Sequence, residues 1–227
     1  MTIVIFTGAH SAYDDGIVST FSRPTAMKYP SFFDRAPTVT VRDELAQLLG
    51  AAEDGLITYR YVDAVRLAGH SCPTVAGAWL LTRRALQLLY PEQLPQRGGV
   101  RVEFSAPAGQ GVIGVIASIA TLLTGAAGVG GFKGIGGRHS RRDLLRDGVG
   151  FDGEARFTRL DNGSAVELGM DMGKVPLDAR ALPLLQRILA GAANAAETAE
   201  FGRLWQQRVR AILIDHADDP ELVFATD

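Results

Sequence analysis

No charged side chain occurs between Ser105 and Phe132. A run of that length raises a membrane helix as the first possibility, and that choice governs every other reading of the chain. Gly109, Gly111, Gly114, Gly125, Gly128, Gly130 and Gly131 interrupt it. Its solid apolar part, Val112 to Leu123, is shorter than the roughly 20 residues a bilayer needs. The stretch therefore predicts a buried helix of a water-soluble domain, followed by a glycine loop.

The rest of the composition agrees. The 227 residues are 47% hydrophobic and 21% charged, the balance of an ordinary globular chain with a sizeable core. A net charge of -2 gives no basic surface for nucleic acid. The single cysteine cannot form an intrachain disulfide, which fits a reducing, cytoplasmic location. Met1 to Thr7 lacks the basic start and long apolar core of a signal peptide and reads as a first strand.

Taken in order, Gly8 to Pro37 is irregular, with Tyr29, Phe32 and Phe33 set among prolines. Such aromatic residues fold as a loop over a core or wall a pocket. Thr40 is expected to cap a helix with Asp43 and Glu44 in its first turn and Leu45, Leu48 and Leu49 on one face. After Gly55, the spacing of Tyr59, Val62, Val65 and Leu67 predicts a helix ending at Gly69. Pro73 opens the next helix, which runs to about Leu89. Val100 to Phe104 alternates as a strand. Arg141, Arg142 and Asp143 read as polar surface. Strands at Ala155 to Leu160 and Ala165 to Met170 flank an Asp161-Asn162-Gly163 hairpin turn. Helices follow at about Ala179 to Ala190 and Ala199 to Asp215, then a last strand at Val223 to Ala225. The expectation is a single α+β domain, a mixed or antiparallel sheet with packed helices.

The chemistry concentrates at Ala68-Gly69-His70-Ser71-Cys72-Pro73. Imidazole and thiolate are common soft-metal ligands, and two residues of spacing in an extended turn can aim both at one cavity. A helix start favours an anion by roughly 0.3–1 kcal/mol, which suits a thiolate as ligand or nucleophile. The alternatives are a buried, inert cysteine and a histidine satisfied by backbone carbonyls.

Gly-His-x-Cys-Pro ahead of an apolar helix resembles the signature of the FmdE family, named after a component of formylmethanofuran dehydrogenase. Thr124-Gly125 followed by Phe132-Lys133-Gly134 is similar to that family's second motif. The likeness covers about Tyr59 to Asp147, not the first fifty residues. It implies an α+β core, a cleft lined by the motif histidine and cysteine, a homodimer, and a metal or catalytic site. The chain departs from the family at Thr74, where many members have glycine, and at Ala126 and Ala127, where many have a cysteine nearby. With Cys72 alone, it has no cysteines for the C-terminal zinc finger that some members carry.

A catalytic zinc takes about three protein ligands and keeps one position open. His70 and Cys72 supply two. His139, which ends the glycine loop that the resemblance places near the cleft, is the first choice for the third. His10, Asp14, Asp15 and Asp143 are the other choices, and His216 reads as solvated. Imidazole also suits iron, nickel and copper. The loop from Gly128 to Gly137 has neither Walker nor dinucleotide spacing. Its amides nevertheless permit close approach of a ligand, with Lys133, Gly134, Arg138 and Arg141 holding an anion, unless it is a simple turn or dimer contact. Three functions remain open: a metal-binding protein or metal-dependent enzyme acting on a small anion, a metal-free enzyme with Cys72 as nucleophile and His70 as base, or a non-catalytic accessory or cofactor-binding protein.

Overall fold

The computed structural model describes residues 28–226. The strand expected at the N-terminus, with His10, Asp14 and Asp15, lies outside them.

Among the described residues, two sheets and six α-helices make an α+β fold. Strand β1 (Val39–Arg42) pairs antiparallel with β2 (Leu56–Tyr59), with Val39 opposite Tyr59. Between them sits the short helix α1 (Glu44–Leu48). This corrects two expectations. The β-branched run Val39-Thr40-Val41 extends rather than starting a helix, and Asp43 is the cap, accepting the amides of Leu45 and Ala46. Leu48 and Leu49 are 59% and 61% exposed, so their helical spacing marks no core face. Likewise Tyr59 belongs to β2, and helix α2 (Tyr61–Ala68) begins after it.

The main sheet has the order β4-β3-β5-β6-β7. Its strands are β3 (Val100–Phe104), β4 (Leu145–Arg146), β5 (Ala155–Arg159), β6 (Ala165–Met170) and β7 (Val223–Ala225). The β3–β4 pair is parallel and the other pairs are antiparallel, so the sheet is mixed. Period-two alternation separates its faces. Val100, Val102, Phe104, Ala155 and Phe157 are buried toward the helices. On the other face the register sets Arg146 beside Glu103, Glu103 beside Arg156 and Arg156 beside Glu167, a ladder of alternating charge.

Helix α3 (Pro73–Leu89) is the centre of the molecule and packs on α2, on helix α4 (Ile113–Thr124), and on β5 and β6. Its Trp79, Leu80 and Leu81 are buried, each contributing about 1.5–3 kcal/mol. Trp79 also donates its indole N–H to the Pro37 carbonyl at 2.9 Å. Phe32 and Phe33, in a single 3₁₀ turn, join Tyr61 and Trp79 in a chain of edge-to-face rings, so the aromatic loop covers the core. The charge-free run forms α4, with Ile116, Ile119 and Leu123 wholly buried. No helix among the described residues is long and apolar enough to cross a membrane. Helices α5 (Ala181–Leu189) and α6 (Ala195–Arg210) form a hairpin, and a single π-helical segment, Ala211–Asp215, continues from α6.

Candidate functional site

The turn between α2 and α3 is fixed from both sides. Gly69 ends α2 in the left-handed region at φ 74°, where a side chain would be strained, and its N–H closes on the Val65 carbonyl at 2.8 Å. Pro73 occupies the first turn of α3, as its missing amide favours. Between them, the Ser71 carbonyl accepts the Trp205 indole N–H at 3.1 Å and the Gln206 amide at 3.0 Å, both from α6. The Ser71 hydroxyl lies 3.0 Å from the Tyr61 hydroxyl. Burial pushes the Tyr61 phenol far above its ordinary value, although the bond to Ser71 lowers it, so Tyr61 stays neutral.

His70 and Cys72 flank this pinned residue. Cys72 is extended at φ -146° and ψ 168°, half-buried, and caps α3 by accepting the Val75 N–H on its sulfur at 3.4 Å. His70 is exposed, with Nδ1 2.9 Å from the Ala68 carbonyl oxygen. A carbonyl only accepts, so Nδ1 carries the proton and Nε2 of the neutral ring keeps its lone pair. This is the arrangement of a metal-ligating or basic histidine, oriented through its other nitrogen.

The third ligand does not join them within one chain. His139 lines a cavity together with Tyr90. Cys72 and Tyr90 cap opposite ends of α3. At 1.5 Å per residue that helix separates them by about 25 Å. Among the described residues, no group of three or more His, Cys, Asp and Glu side chains is placed to hold a metal. The donor set itself, one imidazole nitrogen and one sulfur, suits zinc, but two protein ligands are fewer than a catalytic zinc site takes. His216 bonds to Asp219 at 2.7 Å.

The glycine loop takes the form of a simple turn, one of the alternatives its sequence offers. Ile135 and Arg138 exchange backbone hydrogen bonds of 2.9 and 3.0 Å around Gly136 and Gly137, a tight turn with Lys133 and Arg138 exposed to solvent. Gly134 backs onto the Arg138 carbonyl, so it serves the turn's own closure.

What the sequence missed lies at the other end of α3. Arg141, read from sequence both as polar surface and as a group to hold an anion, is 7% exposed. Its Nη2 contacts Asp43 Oδ1 at 2.7 Å, while Arg97 Nη1 contacts Asp43 Oδ2 at 3.0 Å. Arg97 also donates to the Leu122 carbonyl at 3.3 and 3.2 Å. Burial raises the Asp43 carboxyl, but the Arg97 bond, the Arg141 charge and the Ala46 amide more than offset it, and its pKa falls below the ordinary value. Burial lowers the Arg141 guanidinium despite that carboxylate. No local pattern marks this triad, since its members come from the α1 cap, the approach to β3 and the end of the glycine loop.

The fold and turn thus define an α+β protein with an oriented imidazole and thiol at the N-terminus of its central helix. No family model matches the chain, and no curated protein matches it.

Proposed function

We propose that this is a metal-binding protein of the FmdE-like type, zinc being the metal that suits its donors, and that it acts on a small anionic substrate as a cytoplasmic homodimer. His70 Nε2 and Cys72 Sγ are its ligands. One observation carries the reading: Nδ1 of His70 is spent on the Ala68 carbonyl, which leaves Nε2 as a lone pair two residues from a half-buried thiol. A catalytic zinc there takes at least one protein ligand beyond these two. Bound zinc would act as a Lewis acid and lower the pKa of a coordinated water. The protein's part is to hold the ligand turn rigid through Tyr61, Trp205 and Gln206.

A second reading rests on a different observation. The described residues bring only two ligand-type groups to this turn, which suffices for a thiol nucleophile with an imidazole base and needs no metal. Elemental analysis of the purified protein separates the two. The metal reading expects one equivalent of zinc in wild type, lost in both Cys72→Ser and His70→Ala. The nucleophile reading expects no metal and rapid alkylation of Cys72 that slows in His70→Ala. Metal retained in both variants, or neither behaviour in wild type, overturns both. Light scattering of the same samples tests the dimer.

A further inference from the structure

One edge of β1 is left open. Asp43 donates its N–H to the Gly55 carbonyl at 2.7 Å. Antiparallel pairing alternates, so Val41 and Val39 also turn their backbone groups toward β2, while Arg42 and Thr40 turn theirs away from it. On that outer side Arg42 is satisfied. Its N–H donates to the Pro95 carbonyl at 2.9 Å and its carbonyl accepts the Arg97 N–H at 2.7 Å, so the chain around Gln96 runs parallel beside it. Thr40, two residues back along the same edge, is not. Neither its N–H nor its carbonyl has a partner among the described residues on that side, and the backbone groups of Thr38 have none either.

A cavity of about 220 Å³ opens at this edge, lined by Thr38, Thr40, Leu86, Gln87, Tyr90 and Pro95 among others. It is a groove between the outer side of β1 and the C-terminal half of α3. The charged group in its lining, Arg83, already meets Asp218 at 2.7 Å. Gln87 and Gln93 line it with side chains that make no hydrogen bond among the described residues. The strand behind the edge is firmly seated. Val39 and Val41 are buried, and the Trp79 indole holds the Pro37 carbonyl just ahead of Thr38.

We propose that this groove takes up a short, uncharged, extended peptide segment of a partner protein, added as a strand beside Thr38 and Thr40 in line with the chain around Gln96. Unpaired N–H and C=O groups on a strand edge are a template for one more strand. The lining selects the occupant by charge. Its guanidinium already has a carboxylate, so a charged side chain would lose water there and gain no counter-charge. Leu86 and Tyr90 suit an apolar side chain pointing toward α3, while the alternate side chains of an added strand point away. Pro95 closes the groove toward Arg42, which keeps the segment short. The site is independent of the metal reading, because Cys72 lies at the far end of α3.

Nuclear magnetic resonance of the full chain with the blocked peptide acetyl-Thr-Val-Leu-Val-Thr-amide tests it. Without peptide the Thr40 N–H is expected to exchange rapidly with solvent, and saturating peptide is expected to slow that exchange about tenfold or more. Two further peptides, N-methylated on one or the other alternate set of amides, separate strand addition from loose apolar contact. Only one set faces β1, so one peptide should bind about tenfold more weakly and the other as well as the parent. Thr40→Pro removes an edge N–H that pairs with nothing in the sheet and should also weaken binding about tenfold. If that variant fails to fold, the methylated pair decides on wild type alone. No binding, equal loss from both methylated peptides, or a folded Thr40→Pro that binds as tightly as wild type overturns the proposal. So does a Thr40 amide already protected in the isolated protein, because the chain itself or a second copy then covers the edge.

Discussion

At the scale of single residues, hydrogen-bond direction carries more than residue type. His70 matters because its Nδ1 meets a carbonyl, which fixes the tautomer and frees Nε2. Cys72 has two roles that one substitution separates. As the cap of α3 it accepts the Val75 amide, and serine caps helices at least as well. Cys72→Ser should therefore keep the melting temperature within about 2–4 °C of wild type, the shift that roughly 1 kcal/mol produces, while abolishing whatever chemistry the sulfur performs. Thermal denaturation beside metal analysis checks this. Gly98 behaves oppositely. At φ 82°, with Arg141 Nη1 where a side chain would go, Gly98→Ala is both strained and blocked. It should cost about 1–3 kcal/mol, read as a lowered urea midpoint, and should displace Arg141.

At the scale of elements, α6 decides how well the candidate turn is held. Trp205 and Gln206 both donate to one carbonyl, that of Ser71, so α6 positions His70 and Cys72 without touching a ligand. Each bond is worth about 0.5–1.5 kcal/mol. Trp205→Phe and Gln206→Ala should each speed amide hydrogen exchange at the start of α3 while the sheet keeps its protection. Uniform faster exchange through β3 and β5 would instead show global destabilisation. Under the metal reading, both variants should also bind zinc about tenfold or more weakly than wild type at unchanged stoichiometry, as expected when a ligand's support is loosened.

At the scale of the whole molecule, Asp43 ties the small sheet, the approach to β3 and the end of the glycine loop together through Arg97 and Arg141. Removing one partner of a buried ion pair costs about 3–5 kcal/mol because the other charge stays buried. Asp43→Asn is therefore expected to be among the most destabilising polar substitutions in the chain, measured by urea denaturation at pH 7. The pH dependence has a definite sign. The folded carboxyl has a pKa below its ordinary value of 3.8. Its stabilisation is thus fully present above about pH 4, the unfolded value, and disappears as pH falls through the folded value. Wild type should lose stability faster than Asp43→Asn on acidification below pH 4. Parallel curves for the two would exclude the linkage.

Local signals determined much of this protein. Glycine, proline and period-two alternation placed the stop at Gly69, the start at Pro73, the strands Val100–Phe104 and Ala165–Met170 and the hairpin turn between β5 and β6, because each depends on neighbouring residues alone. The charge-free run was legible as the buried helix α4 for the same reason. Where local preferences competed, the sequence misled: Val39 to Arg42 pairs as a strand only because Leu56 to Tyr59 returns beside it. Only the tertiary structure decided which charged residues are buried. Arg141 follows the glycine loop in a basic run that looks like surface, yet it meets a carboxylate 98 residues away. The length of α3 likewise keeps His139 apart from Cys72, since a helix is a rigid spacer whose ends no local pattern relates to the loops around them.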